Sequence, residues 1–337
     1  MNNFFAFLAR HKLAVATVAV VLVVASVVAF RLRPCSADDV RRSTVMIECR
    51  SWYEVGCGGR AILYFKQIEG DTAMSEMTPD SSVAVARRLT AGLWADRIPG
   101  FPSCMGRIVT VGPRPQTVVT GGTAALADSC LARMKERLET LKSEKRELDY
   151  YFRVHGVKDN GYQEIAVYAA GKKRQLDGLS RAVALLDSIG DMKKLAIRRR
   201  TDYRVLFRDE HGCVKTMQCR FVGADDKSRA VLLQTADGQM PEGVEALNLL
   251  PWNAGFVRKI IVAGFPGISF EAFADKEARL ELIPGRYGKG RHDVPSLLAS
   301  DGSPVFTAHG RLVGISCNGS VIPRRRLSLM VLKGGME

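Results

Sequence analysis

A mostly β protein, interrupted by an antiparallel helical hairpin and preceded by a transmembrane helix, is predicted by three features of this sequence. Short apolar runs rich in β-branched residues, bounded by Gly, Pro and Asp turns, recur at 44–65, 90–110, 203–233 and 259–315. Between them, at 124–195, two stretches change to a spacing of alternating threes and fours. Ahead of all of them lies Leu13 to Phe30, with no charge and only Thr17 and Ser26 as polar residues.

As a helix, Leu13–Phe30 would reach about 27 Å, close to the apolar thickness of a bilayer. A cleaved signal peptide needs a shorter apolar core and a clear small-x-small exit, which Val27-Val28-Ala29 supplies poorly. Leu32-Arg33-Pro34-Cys35 is equally poor as a lipoprotein box, because Arg and Pro stand where small residues belong. The expectation is an uncleaved signal anchor at 13–30, with a tail at 1–12 and a linker at 31–42. Arg10 and Lys12 precede the span and Arg31, Arg33, Arg41 and Arg42 follow it, so charge alone does not orient it. A short tail before a long C-terminal domain favours the tail in the cytoplasm. The main domain is then expected in the periplasm, anchored to a bacterial inner membrane.

The composition, 47% hydrophobic and 25% charged, is that of a folded chain, and the net charge of +14 implies an anionic partner. Two clusters could make such a contact near the membrane: Arg198-Arg199-Arg200 and Arg324-Arg325-Arg326. The plainer alternative is that both are solvated faces. Aromatic residues are not interleaved with them, which disfavours nucleic acid. A protein partner is expected but not identified. None of the eight cysteines has metal-ligand spacing, and no cofactor motif is present, so neither a metal nor a cofactor is expected. In an oxidising compartment Cys49 and Cys57, flanking a turn-like Arg50–Gly56, are the expected cross-strand pair. The other reading leaves all eight as thiols. Cys213 and Cys219 lie on one strand about 20 Å apart and cannot bond each other.

In chain order, Thr44–Cys49 and Ala61–Phe65 read as strands around a Gly-rich turn, and 66–104 as irregular with a short helix-like Val83–Arg88. Thr90–Trp94 and Gly106–Thr110 read as a hairpin. One helical seam runs through Leu131, Met134, Leu138, Leu141, Lys145, Leu148 and Phe152. The other runs through Ile165, Tyr168, Lys172, Leu176, Leu179, Val183 and Leu186, after a turn at His155–Gly161. Two such helices should pack antiparallel as a solvated arm of roughly 40 Å. Strands resume at Tyr203–Phe207, Val214–Val222 and Ala230–Leu233.

Ser300-Asp301-Gly302-Ser303-Pro304-Val305-Phe306, followed by Gly310-Arg311-Leu312-Val313-Gly314-Ile315, resembles the nucleophile loop of trypsin-like serine proteases, particularly the HtrA-like branch of that chymotrypsin-fold family. There Gly-(Asp/Asn)-Ser-Gly-(Gly/Ser)-Pro precedes a strand, a tight turn and a strand ending in Val-Gly-Ile. Thr90–Thr110 resembles the family's first hairpin, Gly223–Leu233 the strand with its orienting Asp, and Lys259–Gly267 its Gly-(Phe/Tyr/Asn)-Pro strand end. The resemblance implies a trypsin-like double β-barrel in two parts, 43–123 and 196–332, with the coiled-coil hairpin 124–195 inserted between them.

It also implies a degenerate triad. The nucleophile should stand three residues before Pro304, at Asp301, and the Gly that helps form the oxyanion hole should stand at Ala299. The general base falls on Pro113. The orienting acid falls on Ser228 or Arg229, depending on the alignment, and Asp226 would reach that place only through a bulge. A carboxylate is a poor nucleophile toward an amide and puts negative charge where the oxyanion should go. Loss of all three members leaves no mechanism. The expectation is therefore a pseudoprotease that binds or scaffolds. One alternative is an active, atypical serine endopeptidase rebuilt from Ser300 or Ser303 with His292 or His309. A second is a membrane-proximal coiled-coil adaptor. For the vacated site, either Arg229 pairs with Asp301, or Arg229 faces solvent while Asp301 caps N–H groups of its own loop.

Overall fold

A computed structural model of the chain describes residues 17–18, 20–22, 34–66, 68–69, 73–74, 78–81, 84–96, 106–118, 123–209, 211–249, 257–267 and 279–333. Helix α1 (Ala37–Ser43) leads into strands β1 (Thr44–Cys57) and β2 (Arg60–Phe65), the short pair β3 (Ile68–Glu69) and β4 (Ala73–Met74), then β5 (Ala86–Asp96), β6 (Arg107–Val111) and β7 (Gln116–Val118). Helices α2 (Thr123–Val154) and α3 (Tyr162–Ile189) follow, then β8 (Leu195–Arg208), β9 (Val214–Ala224), β10 (Ala230–Thr235) and β11 (Leu247–Asn248). The chain continues through β12 (Lys259–Gly264), β13 (Glu281–Gly288), β14 (Arg291–His292), β15 (Pro304–Thr307), β16 (Leu312–Cys317), β17 (Ser320–Pro323) and α4 (Arg324–Lys333).

The strands close into two six-stranded barrels, which fits the double-barrel architecture expected. One runs β1–β5–β6–β10–β9–β8 and back to β1. The other runs β12–β13–β14–β17–β16–β15 and back to β12. β10 is buried at every position, its apolar Ala230–Leu233 and its polar Gln234 and Thr235 alike, because it is hydrogen-bonded on both sides, to β6 and β9.

The chain divides into two compact units, one of residues 1–48, 89–113 and 203–337, the other of 49–88 and 114–202. In the first unit a single apolar cluster joins Leu93, Val109 and Leu232 to Phe306, Ile315 and Ile322, with Leu327 and Val331 of α4. Ser36 and Asp39 make a reciprocal capping box that starts α1, the last element before β1.

In the second unit α2 and α3 form the expected antiparallel hairpin. Lys135 pairs with Asp187, Glu144 with Lys172, and the Phe152 ring with Tyr162, so contacts run from base to tip in opposite chain directions. The expected free arm needs correction over its proximal half. Ala127, Cys130, Met134, Leu141, Leu179 and Leu186 share one buried cluster with Val55, Leu63 and Phe65 of β1 and β2 and Ile197 of β8.

Two further expectations are corrected. Cys49 and Cys57 lie on the same strand, eight residues and about 26 Å apart, so they cannot bond each other. Arg50–Gly56 is extended, with Tyr53–Gly56 paired to β2, and the turn falls instead at Gly58–Gly59. Ala86–Arg88, expected in a short helix, begins β5; so brief a helix would not hold in water, whereas the strand gains a partner in β1. The expected membrane span lies mostly outside the described residues. Its described positions 17–18 and 20–22 are helical, and among the described residues no helix is long and apolar enough to cross a membrane.

Candidate functional site

The loop carrying Asp301 is held by backbone bonds on three sides. Leu298 and Ala299 N–H groups both donate to the Pro295 carbonyl, at 3.0 and 3.1 Å. Gly302 N–H donates to Ser316 C=O at 2.8 Å, and Ser316 N–H returns to Ser303 C=O at 2.8 Å. Across to the first barrel, Ala91 N–H donates to the Asp301 carbonyl at 2.9 Å. Gly302 has φ +86°, and a Cβ there would stand 1.9 Å from the Ala91 carbonyl oxygen and 2.9 Å from Thr110 Oγ1. Only glycine permits this approach.

The residues that the resemblance would place in a triad lie near the end of β6 and the start of β10. Thr110, against Gly302, is three residues before Pro113, and Gly112 N–H donates to Arg229 C=O at 2.9 Å. Their surroundings differ. The Pro113 carbonyl accepts the Tyr203 hydroxyl. The Ser228 hydroxyl donates to the Asp225 carboxylate at 2.6 Å, and Asp225 also pairs with Arg326 at 3.5 Å. Asp226 is exposed in that turn. Asp301 Oδ1 accepts Asn318 N–H at 2.7 Å. Arg229 is exposed and forms no ion pair with Asp301. Asp301 thus caps an N–H of the β16–β17 turn, a third arrangement beside the two considered.

No protein-family model and no curated protein matches the chain. Among the solved structures similar to it is the crystal structure of Deg5, at 14% identity, with 86% of this chain and 87% of that chain covered and a TM-score of 0.35.

What the loop can do chemically follows from its satisfied and unsatisfied groups. An oxyanion hole requires N–H groups aimed at an empty point, and the Ala299 N–H is already spent on Pro295. The hydroxyls of Ser300 and Ser303 are buried and have no hydrogen-bond partner among the described residues, so no imidazole is placed to take their protons. Pro304 begins β15 and is buried. His309 is exposed at the β15–β16 turn. His292 Nε2 does meet a hydroxyl, Ser316 Oγ, at 2.8 Å. Burial lowers the His292 pKa below the ordinary imidazole range, as a base held neutral would require. Ser316 is only 2% exposed, within β16, where a peptide carbonyl could not reach it.

Neither Ser316 nor Asn318 stood out in the sequence. The Asn318-Gly319 dipeptide, a turn signature, was the one available signal for the second. The two arginine clusters differ in kind. Arg324 donates to Asn248 C=O at 2.7 Å and burial pushes its pKa down to about 10, while Arg326 pairs with Asp225, leaving Arg325 exposed. Arg198, Arg199 and Arg200 lie on β8 opposite Val118, Thr117 and Gln116 of β7, all partly exposed.

Proposed function

We propose that this chain is a membrane-anchored pseudoprotease, a trypsin-like double barrel that acts by binding or scaffolding rather than by peptide hydrolysis. The observation that carries the reading is Asp301: a carboxylate stands at the nucleophile position and is already bonded to Asn318 N–H. Supporting it, the adjacent hydroxyls of Ser300 and Ser303 face no imidazole and the Ala299 N–H is not available to an oxyanion. The test is a fluorophosphonate probe on wild type and on Asp301→Ser. Neither protein should label or cleave peptides. Labelling at Ser300, Ser303 or Ser316 would establish the atypical endopeptidase instead. The anchor is part of the same proposal: the full chain should resist carbonate extraction from membranes, and a chain lacking residues 1–33 should be released by it.

A second reading, a coiled-coil adaptor, is favoured by the outer part of the hairpin. Tyr150, Val154, Val157, Val167 and Tyr168 are all more than half exposed there. Large apolar side chains left exposed at the end of the hairpin favour a contact surface there. Photo-crosslinking from position 154 in membranes tests it. A discrete adduct that disappears in Tyr150→Glu supports the adaptor, and absence of any adduct removes it.

A further inference from the structure

The second unit contains a hollow on the sheet face opposite the helical hairpin. In a strand successive side chains take opposite faces. Val55, Leu195 and Ile197 are buried in the cluster beneath α2 and α3, so Glu54, Gly56, Ala196, Arg198 and Arg200 take the other face, and Lys194, in the helical turn just before β8, lines the same hollow. Gly56 pairs directly with Ala61 across β1 and β2, and with Ala196 they make a floor without side-chain bulk. Gly58 and Gly59, at φ +60° and +85°, close one side through the two-residue hairpin turn between Cys57 and Arg60. Here glycine is demanded by the backbone conformation and not by crowding, since a Cβ at either position would meet open space.

The hollow is about 250 Å³. That is less than the roughly 300–1,000 Å³ of pockets that hold drug-sized ligands, and suits a single small group. Three cations, Lys194, Arg198 and Arg200, stand around it against one acid, Glu54. Glu54 is committed on both oxygens: Oε2 accepts Arg200 Nε at 2.8 Å and Oε1 accepts Trp52 Nε1 at 3.2 Å. Arg200 is held further by the Gln116 side-chain oxygen. Glu54 thereby neutralises and orients Arg200, whereas Lys194 and Arg198 form no ion pair among the described residues.

We propose that this hollow is a binding site for a phosphoryl group. The excess positive charge selects an anion, and guanidinium N–H groups match phosphate oxygens in a bidentate fork. The bare glycine turn lets the ligand approach the main chain closely. A lipid headgroup and a soluble phosphomonoester both carry such a group, and the recognition chemistry is shared. The site uses none of the residues of the degenerate triad, and it stands or falls separately from the pseudoprotease reading.

The full chain, purified in detergent, is titrated with inorganic phosphate, with glycerol phosphate and with dioctanoyl phosphatidic acid by isothermal calorimetry. Saturable phosphate binding is expected, weakened about tenfold by Arg198→Gln and about a hundredfold by Lys194→Gln/Arg198→Gln, since each substitution removes one charge-assisted contact. Ala196→Leu fills the floor without changing charge and should also weaken binding. Lys227→Gln/Arg325→Gln, two exposed cations elsewhere, should leave it unchanged. Tighter binding of the phosphatidic acid than of glycerol phosphate identifies the lipid source, and equal binding identifies the soluble one. The proposal is overturned if wild type shows no saturable binding. It is equally overturned if Ala196→Leu binds like wild type, or if the distant double variant loses as much as the site variant.

Discussion

Asn318 sits at φ +49° in the turn between β16 and β17, and the Asp301 carboxylate supplies the acceptor for its N–H at 2.7 Å. A serine at 301 would be too short to repeat that bond, so the carboxylate on which the proposed loss of nucleophilic chemistry rests also fastens the turn. Asp301→Ala should cost about 1 kcal/mol in urea unfolding, the typical net worth of an exposed-side hydrogen bond, while Asp301→Asn should stay near wild type because it keeps an acceptor oxygen. Equal stability of Ala and Asn variants would mean that the carboxylate holds nothing. The loop itself was legible in the sequence, because Gly302 and Pro304 mark a turn and the apolar run Leu312–Ile315 marks the strand after it. The bond to Asn318 was not, because it joins residues brought together by the β16–β17 fold-back.

At the scale of the element, the two helical seams are read from spacing alone, including the polar lapses at Lys145 and Lys172. Lys172 meets Glu144 of the facing helix at 2.6 Å and lies 5.1 Å above the Tyr168 ring, so the lapse is answered across the hairpin. Spacing within one helix cannot show that partner. Nor can it show that Leu141, 2% exposed, belongs to a core shared with β1 and β2. Leu141→Asp places a charge in that core, a loss of several kcal/mol. Hydrogen exchange should then show unprotected amides in 49–65 and 195–202 as well as in the helices, with 259–323 still protected. If exchange rises in the helices alone, the hairpin folds as an independent arm.

For the whole molecule, acid should act in two stages. The His292 imidazole is depressed by burial, so the unfolded chain binds a proton more readily; stability is complete above about pH 6.5 and declines below it. Glu144 is held low by the Lys172 hydrogen bond, Asp159 by the Gly156 N–H and Asp237 by the Gln239 N–H. Their contribution is present above the ordinary carboxylate values near pH 4 and is lost as the pH falls through the depressed ones. Thermal midpoints should therefore fall first below about pH 6.5 and again below about pH 4. His292→Gln, which keeps a bond to Ser316 without titrating, should abolish the first fall only. An unchanged first stage in that variant would assign it to another group.

Alternation, heptad spacing and turn dipeptides are properties of neighbouring residues, and from them the sequence by itself determined the mostly β class and a helical hairpin, read at 124–195 and found as helices Thr123–Val154 and Tyr162–Ile189. The closure of the strands into two barrels, the placing of Cys49 and Cys57 on one long strand, and the commitment of Arg324 and Arg326 to internal bonds were decided by the tertiary structure. So was the hollow of Gly56, Ala61 and Ala196 ringed by Lys194, Arg198 and Arg200. Its floor and rim come from β1, β2 and β8, and β8 lies about 140 residues further along the chain; only their pairing, at a spacing near 4.8 Å between strands, sets small residues beneath long cations.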